Sequence, residues 1–214
     1  MFDKHDSYLR QTQAYWDNKA TTAKSDAERV EWSQRSQRMR FETFLMTHDL
    51  QNRSVLDVGC GVADFRTHLQ RRNVDCEYVG FDISPEMIRH CKERFPDLRF
   101  ESGNFLTWEP GRSFDYTVAI GIHNIKVDGA YDVLESTTRK QFELSRIAAH
   151  VSLLTDRFHG FAPHIQAWKV EDIMAMALAI TPYVVIRHDY LPNDFSITLY
   201  RDPLIDRCND LLLD

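Results

Sequence analysis

The residues best suited to chemistry in this sequence lie at the end of a short apolar segment, where Asp57 is followed by Gly59 and Gly61. Glycine allows the backbone to adopt left-handed torsions and to approach a ligand closely. Residues 55–64 are typical of a buried strand that runs into a turn and then a helix, and ligands of open α/β sheets bind beyond such strand ends. Because a plain strand–helix turn explains an isolated Gly-X-Gly pattern equally well, the neighbouring loops must decide between the two interpretations.

Two further strand ends carry side chains that suit a nucleoside. Asp82 ends the next apolar segment, where a carboxylate can bind the two hydroxyls of a ribose. Asn104 and Phe105 lie in the loop after the third segment. Because the carboxyl ends of parallel strands meet at one edge of a sheet, we expect the three loops to converge on a single site of nucleoside size.

The order of these motifs resembles that of the class I, Rossmann-like S-adenosylmethionine-dependent methyltransferases. The string VLDVGCGVADF at residues 55–65 is similar to their first motif, and YVGFDISPEMI at residues 78–88 is similar to their second. ESGNF at residues 101–105 and FDYTVAIGIHN at residues 114–124 resemble their third-loop and fourth-strand motifs. The strings around residues 30–41 and 188–201 further resemble a bacterial, small-molecule-type branch of this superfamily.

The resemblance implies S-adenosylmethionine as the cofactor, S-adenosylhomocysteine as the product, and a role for each motif residue. The resemblance implies that Asp57, Gly59 and Gly61 contact the methionine part of the cofactor and that Asp82 binds the ribose hydroxyls. Ile83 would pack on the adenine ring, and Asn104 and Phe105 would contact its edge. Ile120 and Gly121 would lie beneath the sulfonium region. Arg40, on the helix that enters the core, can pair with the cofactor carboxylate if this helix closes over the site. A solvated helix face is the alternative for Arg40.

The chain departs from the family pattern at two positions, and NAD is the competing cofactor. Ala63 replaces the third glycine of the first motif, which is tolerated if that position is helical. Asn104 replaces a frequent aspartate, although its amide oxygen can still accept a bond from the adenine amino group. A dinucleotide site requires a glycine where this chain has Asp64, and a carboxylate there would repel a pyrophosphate. Acidic residues suit a cationic sulfonium better, so we favour S-adenosylmethionine.

Strand and helix patterns alternate along the chain, which predicts an α/β fold with helices on both faces of a mostly parallel sheet. The predicted strands cover residues 54–58, 78–81, 98–101, 115–120, 151–155, 183–187 and 196–200, and the main helices cover residues 63–71, 84–94, 137–149 and 170–180. The resemblance implies a Rossmann-like, seven-stranded mixed sheet in the order 3-2-1-4-5-7-6, with strand 7 antiparallel. Residues 1–50 form a helical cap or lid in this interpretation, and residues 51–214 form the cofactor domain within a single structural domain overall. Ser25 and Glu28 have capping-box spacing and open a helix that continues to about residue 46.

His123 and Asn124 are the candidate catalytic residues, because they follow the fourth strand and face the site. Methyl transfer to a hydroxyl requires removal of a proton, and the ordinary pKa of histidine, near 6.5, suits a general base. Asn124 could orient the acceptor. The alternative is that both side chains only pack or bond within the loop. Because His123 offers a base, O-methylation is slightly favoured over N-methylation.

Candidate acceptor contacts come from the cap and from the later loops. They are Trp32, Asp156, His159, Asp189 and Tyr190. Alternatively, Trp32 only packs against neighbouring side chains, and the other four residues are solvated on the surface. Tyr8, Tyr15 and Trp16 have roughly helical spacing and are a candidate mobile lid. The His, Asp and Glu spacing carries no metal-ligand signature.

The composition narrows the choice of acceptor. A net charge of −6 and a sequence pI near 5.8 argue against a broad surface for nucleic-acid phosphates, and His123-Asn124 stands where base methyltransferases often carry a Pro-Pro motif. Without a signal peptide or an apolar span, and with four cysteines that we expect to be reduced, we predict a cytoplasmic protein that does not contact membranes. A small-molecule or sugar-containing acceptor is favoured, with a nucleic-acid methyltransferase or a non-catalytic cofactor-binding module as alternatives. The oligomeric state stays open.

Overall fold

The computed structural model describes residues 4–204 of the chain. Its helices are α1 (Lys4–Thr22), α2 (Asp26–Val30), α3 (Gln34–Leu45), α4 (Asp64–Arg71), α5 (Pro85–Arg94), α6 (Ala130–Leu144) and α7 (Val170–Leu178). Its strands are β1 (Ser54–Val58), β2 (Glu77–Asp82), β3 (Arg99–Ser102), β4 (Phe114–Ile120), β5 (Ser145–Leu154), β6 (Val184–Leu191) and β7 (Asp194–Tyr200). Cys208, which was expected to be a reduced thiol, lies outside the described residues.

The strands form a seven-stranded sheet in the order β3-β2-β1-β4-β5-β7-β6, as the resemblance implies. Strands β1 to β5 pair in parallel, whereas β7 is antiparallel to both of its neighbours. Val58 pairs with Phe81, and Asp82 pairs with Ser102, so the carboxyl ends of β1, β2 and β3 lie side by side. The predicted convergence of three loops at one sheet edge follows from this register.

Side chains of the central strands alternate between two apolar clusters, one on each face of the sheet. Leu56 and Val58 of β1 pack with Phe81 on one face. Val55 packs with Tyr78 on the other face. Every residue of β1 is buried, Ser54 and Asp57 included, which is typical of a parallel sheet covered on both sides.

Side-chain caps begin several helices where the sequence predicts them. The Ser84 hydroxyl accepts from the backbone N–H of Met87 at 3.1 Å, and Pro85 occupies the first turn of α5. The Ser25 hydroxyl accepts from Glu28 N at 3.3 Å at the start of α2. The single helix predicted to follow Ser25 is wrong, because Glu31 adopts a left-handed φ of 57° and separates α2 from α3. Trp32 therefore lies in this link and not on the helix that enters the core.

The helix predicted at residues 137–149 is wrong at both of its ends. Helix α6 already begins at Ala130, after a left-handed Gly129 that makes no side-chain cap, so the usual sequence signal is missing. The last residues of the predicted helix belong to β5, which begins at Ser145. Alanines favour a helix there, but pairing of β5 with β4 and β7 overrides that local preference.

Ala63 is not helical, contrary to the expectation for this position. Its φ of 61° and ψ of 40° are left-handed, and α4 begins one residue later. This conformation costs about 1–2 kcal/mol for a residue with a Cβ atom. The Ala63 methyl group is buried in the apolar cluster with Phe41 and Phe65, which offsets part of that cost. None of the described helices is long and apolar enough to cross a membrane.

Candidate functional site

A cavity with about 1120 Å³ of empty space, its open mouth included, lies at the carboxyl ends of β1, β2 and β4. Asp57, Gly59 and Gly61 line it from the β1 loop, and Asp82 lines it from the end of β2. Helices α1 and α3 cover the opposite side. The structure therefore brings the residues of the first two sequence motifs into one cavity.

The glycine turn after β1 requires glycine at Gly59 for two reasons. Gly59 adopts a left-handed φ of 73°, and a Cβ atom there would lie 1.9 Å from Ile122 Cγ2. The backbone N–H groups of Gly59 and Cys60 both donate to the Phe81 carbonyl, at 2.6 and 3.0 Å. These bonds hold the turn against the end of β2 and leave its backbone open to the cavity.

Two buried carboxylates line the cavity beside this turn. Asp57 accepts a hydrogen bond from the Tyr78 hydroxyl at 2.6 Å. Asp82 accepts from the backbone N–H groups of Gly61 at 2.8 Å and Ser84 at 2.9 Å. Burial raises the pKa of Asp57 to about 7 and that of Asp82 to about 6, because a low-dielectric site disfavours the ionised form. A cationic or hydrogen-bond-donating ligand would favour ionisation of both groups.

The predicted adenine contacts are divided between the main cavity and a shallower recess beside it. Ile83 and Phe105 line the cavity. Phe105 is buried and packs against Phe81, with ring centroids 5.6 Å apart. Asn104 lines the adjoining recess together with Ile83, and its side-chain oxygen accepts from Leu106 N at 2.9 Å. Asn104 thus stabilises its own loop, which the sequence analysis did not anticipate.

Gly121 brings the end of β4 into contact with the cap. Its φ of 82° is left-handed, and a Cβ atom there would lie 2.6 Å from Trp32 Cζ2. Ile120 and Gly121 both line the cavity, as expected for the predicted sulfonium region. A side chain at Gly121 would push Trp32 away from the site.

The His123 ring also lines the cavity and is only 2% exposed. Neither ring nitrogen has a hydrogen-bond partner among residues 4–204. Burial lowers the pKa of His123 to about 3, well below the ordinary value used in the sequence analysis. The imidazole is therefore neutral near pH 7 and can accept a hydrogen bond, but it is a weaker base than expected.

Asn124 is 7% exposed, and its neighbours fix its orientation. The amide nitrogen donates to the Gly121 carbonyl at 2.9 Å, and the Asn124 backbone carbonyl accepts from Gln166 N at 2.9 Å. The side-chain oxygen Oδ1 has no partner within the described part of the chain. It does not line the main cavity but a second pocket beside it.

Arg40 is buried between the cap and the sheet. Its Nε donates to Asp194 Oδ2 at 2.8 Å, and its guanidinium carbon lies 3.6 Å from the centroid of the Trp32 ring. Both Nη atoms lack partners among the residues that the structure describes. Tyr190 donates its hydroxyl proton to Asp194 and so belongs to the same network. Arg40 is not a solvated residue on a helix face.

Most of the candidate acceptor residues do not line the cavity. Asp189 is 62% exposed and pairs with Arg187 at 2.8 Å. His159 is exposed, and Asp156 is tied to Trp168 through its backbone N–H. Tyr190 reaches the site only through its bond to Asp194. Of these five candidates, Trp32 alone lines both the main cavity and the second pocket beside it.

Helix α1 contributes cavity residues that the sequence analysis had mostly missed. Tyr8 and Trp16, from the predicted aromatic lid, line the cavity, and so do Leu9 and Thr12. The side chain of Asp17 anchors α1 by accepting a bond from the Ser84 hydroxyl at 2.5 Å. Only the aromatic spacing signalled this role, because α1 has no glycine turn or other motif.

Part of the chain is similar in sequence to known methyltransferases. Residues 55–140 match the family model described as a methyltransferase domain. The relative Rv1506c of Mycobacterium tuberculosis is 28% identical over 108 residues, which are 45% of this chain and 64% of that protein. Trans-aconitate 2-methyltransferase of Afipia carboxidovorans is 34% identical over 73 residues, which are 34% of this chain and 28% of that enzyme. The chain thus spans less than two thirds of the length of these curated relatives.

Solved structures share the whole fold at low sequence identity. Magnesium protoporphyrin IX methyltransferase from Synechocystis PCC 6803, solved with bound S-adenosylmethionine, superposes with a TM-score of 0.66 and 12% identity. The match covers 94% of this chain and 99% of that one. The DhpI complex with S-adenosylhomocysteine gives a TM-score of 0.65 and 15% identity, over 89% of this chain and 95% of the other.

Proposed function

We propose that the chain is a class I S-adenosylmethionine-dependent methyltransferase, an enzyme that transfers a methyl group from S-adenosylmethionine to an oxygen or nitrogen of a small-molecule acceptor; the methyltransferase-domain match over residues 55–140 and the shared fold support this proposal. One observation carries the proposal. The glycine turn after β1 and the carboxylate that ends β2 line a single cavity, which the cap helices cover. S-adenosylhomocysteine is the expected product.

The groups that line the cavity fit this cofactor. S-adenosylmethionine supplies a methyl group activated on a cationic sulfonium, next to an amino acid that carries an ammonium and a carboxylate. The carboxylates of Asp57 and Asp82 would favour positive charge in the cavity, and Gly59 allows the β1 loop to pack closely against Ile122 beside it, where a Cβ atom would clash. Asp64, on the same wall, makes the cavity unsuitable for a pyrophosphate.

Arg40 is the proposed partner of the cofactor carboxylate. A buried guanidinium with two unpartnered Nη atoms is costly unless a ligand accepts from them, and a carboxylate accepts such bonds in a bidentate geometry. Asp194 occupies Nε and holds the guanidinium plane against Trp32. The Nη atoms are thereby oriented before any ligand arrives.

Asp82 would bind the ribose hydroxyls, and apolar side chains would enclose the adenine. The bonds from Gly61 and Ser84 fix the Asp82 carboxylate, which retains lone pairs to accept hydroxyl protons. Ile83 and Phe105 would pack on the two sides of the base, and Asn104 would contact its edge from the neighbouring recess. Ile120 and Gly121 would lie beneath the sulfonium region.

His123 and Asn124 are the proposed catalytic residues. The neutral His123 ring can accept a hydrogen bond or, more weakly, a proton, while Asn124 offers a fixed acceptor oxygen for orienting the substrate. Alignment of the reacting groups supplies much of the rate enhancement in such displacements, on the order of 7–11 kcal/mol in favourable cases. With the pKa of His123 lowered to about 3, alignment is the larger of the two contributions.

The division of the chain into a cap and a cofactor domain is also part of the proposal. Residues 1–50 would act as a helical cap on residues 51–214, within one structural domain. Support comes from the contacts of Val30 with Gly61 and of Trp32 with Gly121, by which the cap packs on the loops of the domain.

A small-molecule acceptor, free or sugar-containing, is favoured over a nucleic acid. Relatives named as trans-aconitate 2-methyltransferases and as an N,N-dimethyltransferase of a dTDP-linked amino sugar support this class. A net charge of −6 disfavours binding to phosphate backbones. The dTDP-sugar enzyme is named for a nitrogen acceptor, whereas trans-aconitate offers oxygen atoms. The proposal therefore includes both oxygen and nitrogen acceptors.

Incubation of the enzyme with labelled S-adenosylmethionine and an extract of its source tests the proposed activity. We expect label to enter a small, extractable compound, and a protein whose Asp82 is replaced by alanine should not label it. Cofactor binding without any labelled product would favour the alternative of a non-catalytic module, and label in nucleic acid would favour the other alternative.

A further inference from the structure

A second pocket, with about 740 Å³ of empty space, adjoins the cofactor cavity on the side of β4 and β5. The two share Trp16, Val30, Trp32, Arg40 and Gly121, which form the boundary between them. Because the second pocket meets the cofactor cavity at Gly121, it is placed to hold the acceptor.

Aromatic rings form part of the walls of this pocket, beside polar side chains such as those of Ser33 and Asn193. Trp16 and Trp32 come from the cap, and Phe161 comes from the loop after β5. Leu154 adds aliphatic surface at the end of β5, and Ile125 adds it from the loop after β4. Such walls favour flat, apolar ligands, because aromatic faces gain from stacking beyond the area that they bury.

The side-chain oxygen of Asn124, a residue that lines this pocket, lacks a partner and has a fixed orientation among the residues that the structure describes. The Oδ1 atom of Asn124 makes no hydrogen bond to the residues between 4 and 204, and the bond from its Nδ2 to the Gly121 carbonyl fixes the amide plane. Two backbone hydrogen bonds hold the loop that carries Asn124: Gln166 N donates to Asn124 O, and Lys126 N donates to His164 O. A buried, unpaired oxygen of this kind is stabilised by a hydrogen-bond donor, which a ligand can supply.

We propose that the second pocket binds an aromatic small molecule through a hydroxyl or amino group that donates to Asn124 Oδ1. This inference rests on the proposed function and narrows its acceptor to an aromatic alcohol or amine. The donating atom is then the one that receives the methyl group, since Asn124 is bonded to Gly121 at the boundary with the cofactor cavity. The bond between the methyl carbon and the sulfur of S-adenosylmethionine breaks as the bond to the acceptor atom forms, S-adenosylhomocysteine leaves, and the acceptor's proton passes to solvent water.

The charges around the pocket favour a neutral acceptor over an anionic one. The positive charge of Arg40 is already paired with Asp194. At the mouth, Glu31 accepts from the Tyr15 hydroxyl at 2.6 Å and pairs with Lys19. Among the described residues that line the pocket, these pairs leave no cation without a partner carboxylate. His123 lines the cofactor cavity but not this pocket, so Asn124 is the group that positions the acceptor.

A matched set of probes tests the proposal without knowledge of the natural acceptor. Naphthol has an aromatic ring system and a donor, methoxynaphthalene lacks the donor, and decalol lacks the aromatic rings. Their dissociation constants are measured by calorimetry or saturation-transfer NMR, with and without S-adenosylhomocysteine, for the wild type and for Asn124→Ala. In Asn124→Ala, loss of one neutral hydrogen bond should lower the affinity for naphthol by about two- to tenfold and leave the affinity for methoxynaphthalene unchanged.

Phe161→Leu is the second variant, because Phe161 lies on a loop and its replacement keeps the pocket apolar. This variant should weaken the binding of naphthol more than that of decalol. It also keeps the proposal testable if circular dichroism shows that Asn124→Ala does not fold. Equal naphthol affinity in the wild type and both variants would overturn the proposal, as would no naphthol binding by the wild type. Tighter binding of naphthoic acid than of naphthol would overturn it in favour of an anionic acceptor.

Binding of S-adenosylhomocysteine in the same samples separates this inference from the proposed function. A wild type that binds S-adenosylhomocysteine but not naphthol would leave the proposed function standing and remove the aromatic acceptor. A wild type that binds naphthol through Asn124 but not S-adenosylhomocysteine would contradict the proposed function and support the pocket alone.

Discussion

The Nε atom of Arg40 donates to the carboxylate of Asp194 over 2.8 Å, and each side chain is only 1% exposed. This buried pair joins α3 of the cap to the first residue of β7. Burial lowers the pKa of Arg40 and raises that of Asp194, so each group depends on the other to remain charged. The pair therefore fixes the cap to the sheet and orients the free end of Arg40.

Asp194→Ala should strongly destabilise the protein. The change removes the partner of a buried guanidinium and of the Tyr190 hydroxyl, and breaking a buried pair in this way costs about 3–5 kcal/mol. The measurement is the free energy of unfolding from urea titrations. Arg157→Ala is the control, because the Arg157–Glu171 pair is 65% and 64% exposed and should contribute less than about 1 kcal/mol. Similar losses in both variants would contradict the structural role of the buried pair.

Asp82→Ala should lower the affinity for S-adenosylhomocysteine by about ten- to a hundredfold. Loss of one hydrogen bond from the ribose to a charged group, on the order of 1.5–3 kcal/mol, accounts for this range, and Gly61 N would also lose its acceptor. Calorimetry measures the effect. Glu86→Ala, on the helix that follows Asp82, changes a carboxylate outside the cavity and should bind like the wild type. Unchanged affinity in Asp82→Ala would remove Asp82 from the cofactor site.

Cofactor affinity should depend on pH through the two buried carboxylates. In the ligand-free protein the pKa values of Asp57 and Asp82 are raised to about 7 and about 6, so both groups bind protons as the pH falls below 7. A cationic ligand favours their ionised forms, and its binding must then release protons. We expect affinity for S-adenosylmethionine to rise roughly tenfold between about pH 5 and about pH 7.

Methylthioadenosine is the control ligand for this pH dependence, because it keeps the nucleoside but lacks the amino-acid part. Its affinity should depend less steeply on pH, since it presents no positive charge to Asp57. An S-adenosylmethionine affinity that stayed constant over this range, with no protons released, would show that the carboxylates are already ionised in the free protein.

The same carboxylates should make the ligand-free fold less stable as the pH rises. Their folded-state pKa values lie above the unfolded value near 3.9, so the stability that they contribute is fully present below about pH 4 and is lost as the pH rises through about 6 to 7. Asp57→Asn, which keeps the shape without the charge, should reduce this loss. Unfolding free energies of the variant and the wild type that ran parallel from pH 5 to pH 8 would contradict the raised pKa of Asp57.

His123→Gln tests the proposed catalytic role. If the ring accepts the proton, turnover should fall by roughly a hundredfold while the affinity for S-adenosylmethionine stays the same. At saturating S-adenosylmethionine, where cofactor affinity no longer affects the rate, the wild-type rate should show no inflection near pH 6.5, because burial lowers the pKa of His123 to about 3. A variant with wild-type turnover would dismiss the role, and an inflection near pH 6.5 that His123→Gln abolished would contradict the lowered pKa.

The sequence predicts the cofactor loops well because their signals are local. The Gly59 turn, the strand-ending Asp82 and the Ser84-Pro85 helix start each depend on torsions or hydrogen bonds made within a few residues. The left-handed Ala63 is the exception in this region. A single residue type does not reveal its own φ, and burial of the methyl group makes an unusual torsion tolerable.

The acceptor side could not be predicted to the same extent because its contacts are distant in sequence. Arg40 meets Asp194 from 154 residues away, and no local pattern connects them. The candidates Asp189 and His159 have suitable chemistry, but they lie on exposed segments. The pocket instead depends on Phe161 and Asn124, whose loops meet through the bond from Gln166 to the Asn124 carbonyl.

Calorimetry of the full chain with S-adenosylmethionine and with S-adenosylhomocysteine tests the central claim most directly. The cavity beside Asp57, Gly59 and Asp82 predicts saturable binding of both compounds, with one molecule per chain and no competition from NAD. Absence of detectable binding by either compound to the folded protein would contradict the assignment of this cavity to the cofactor.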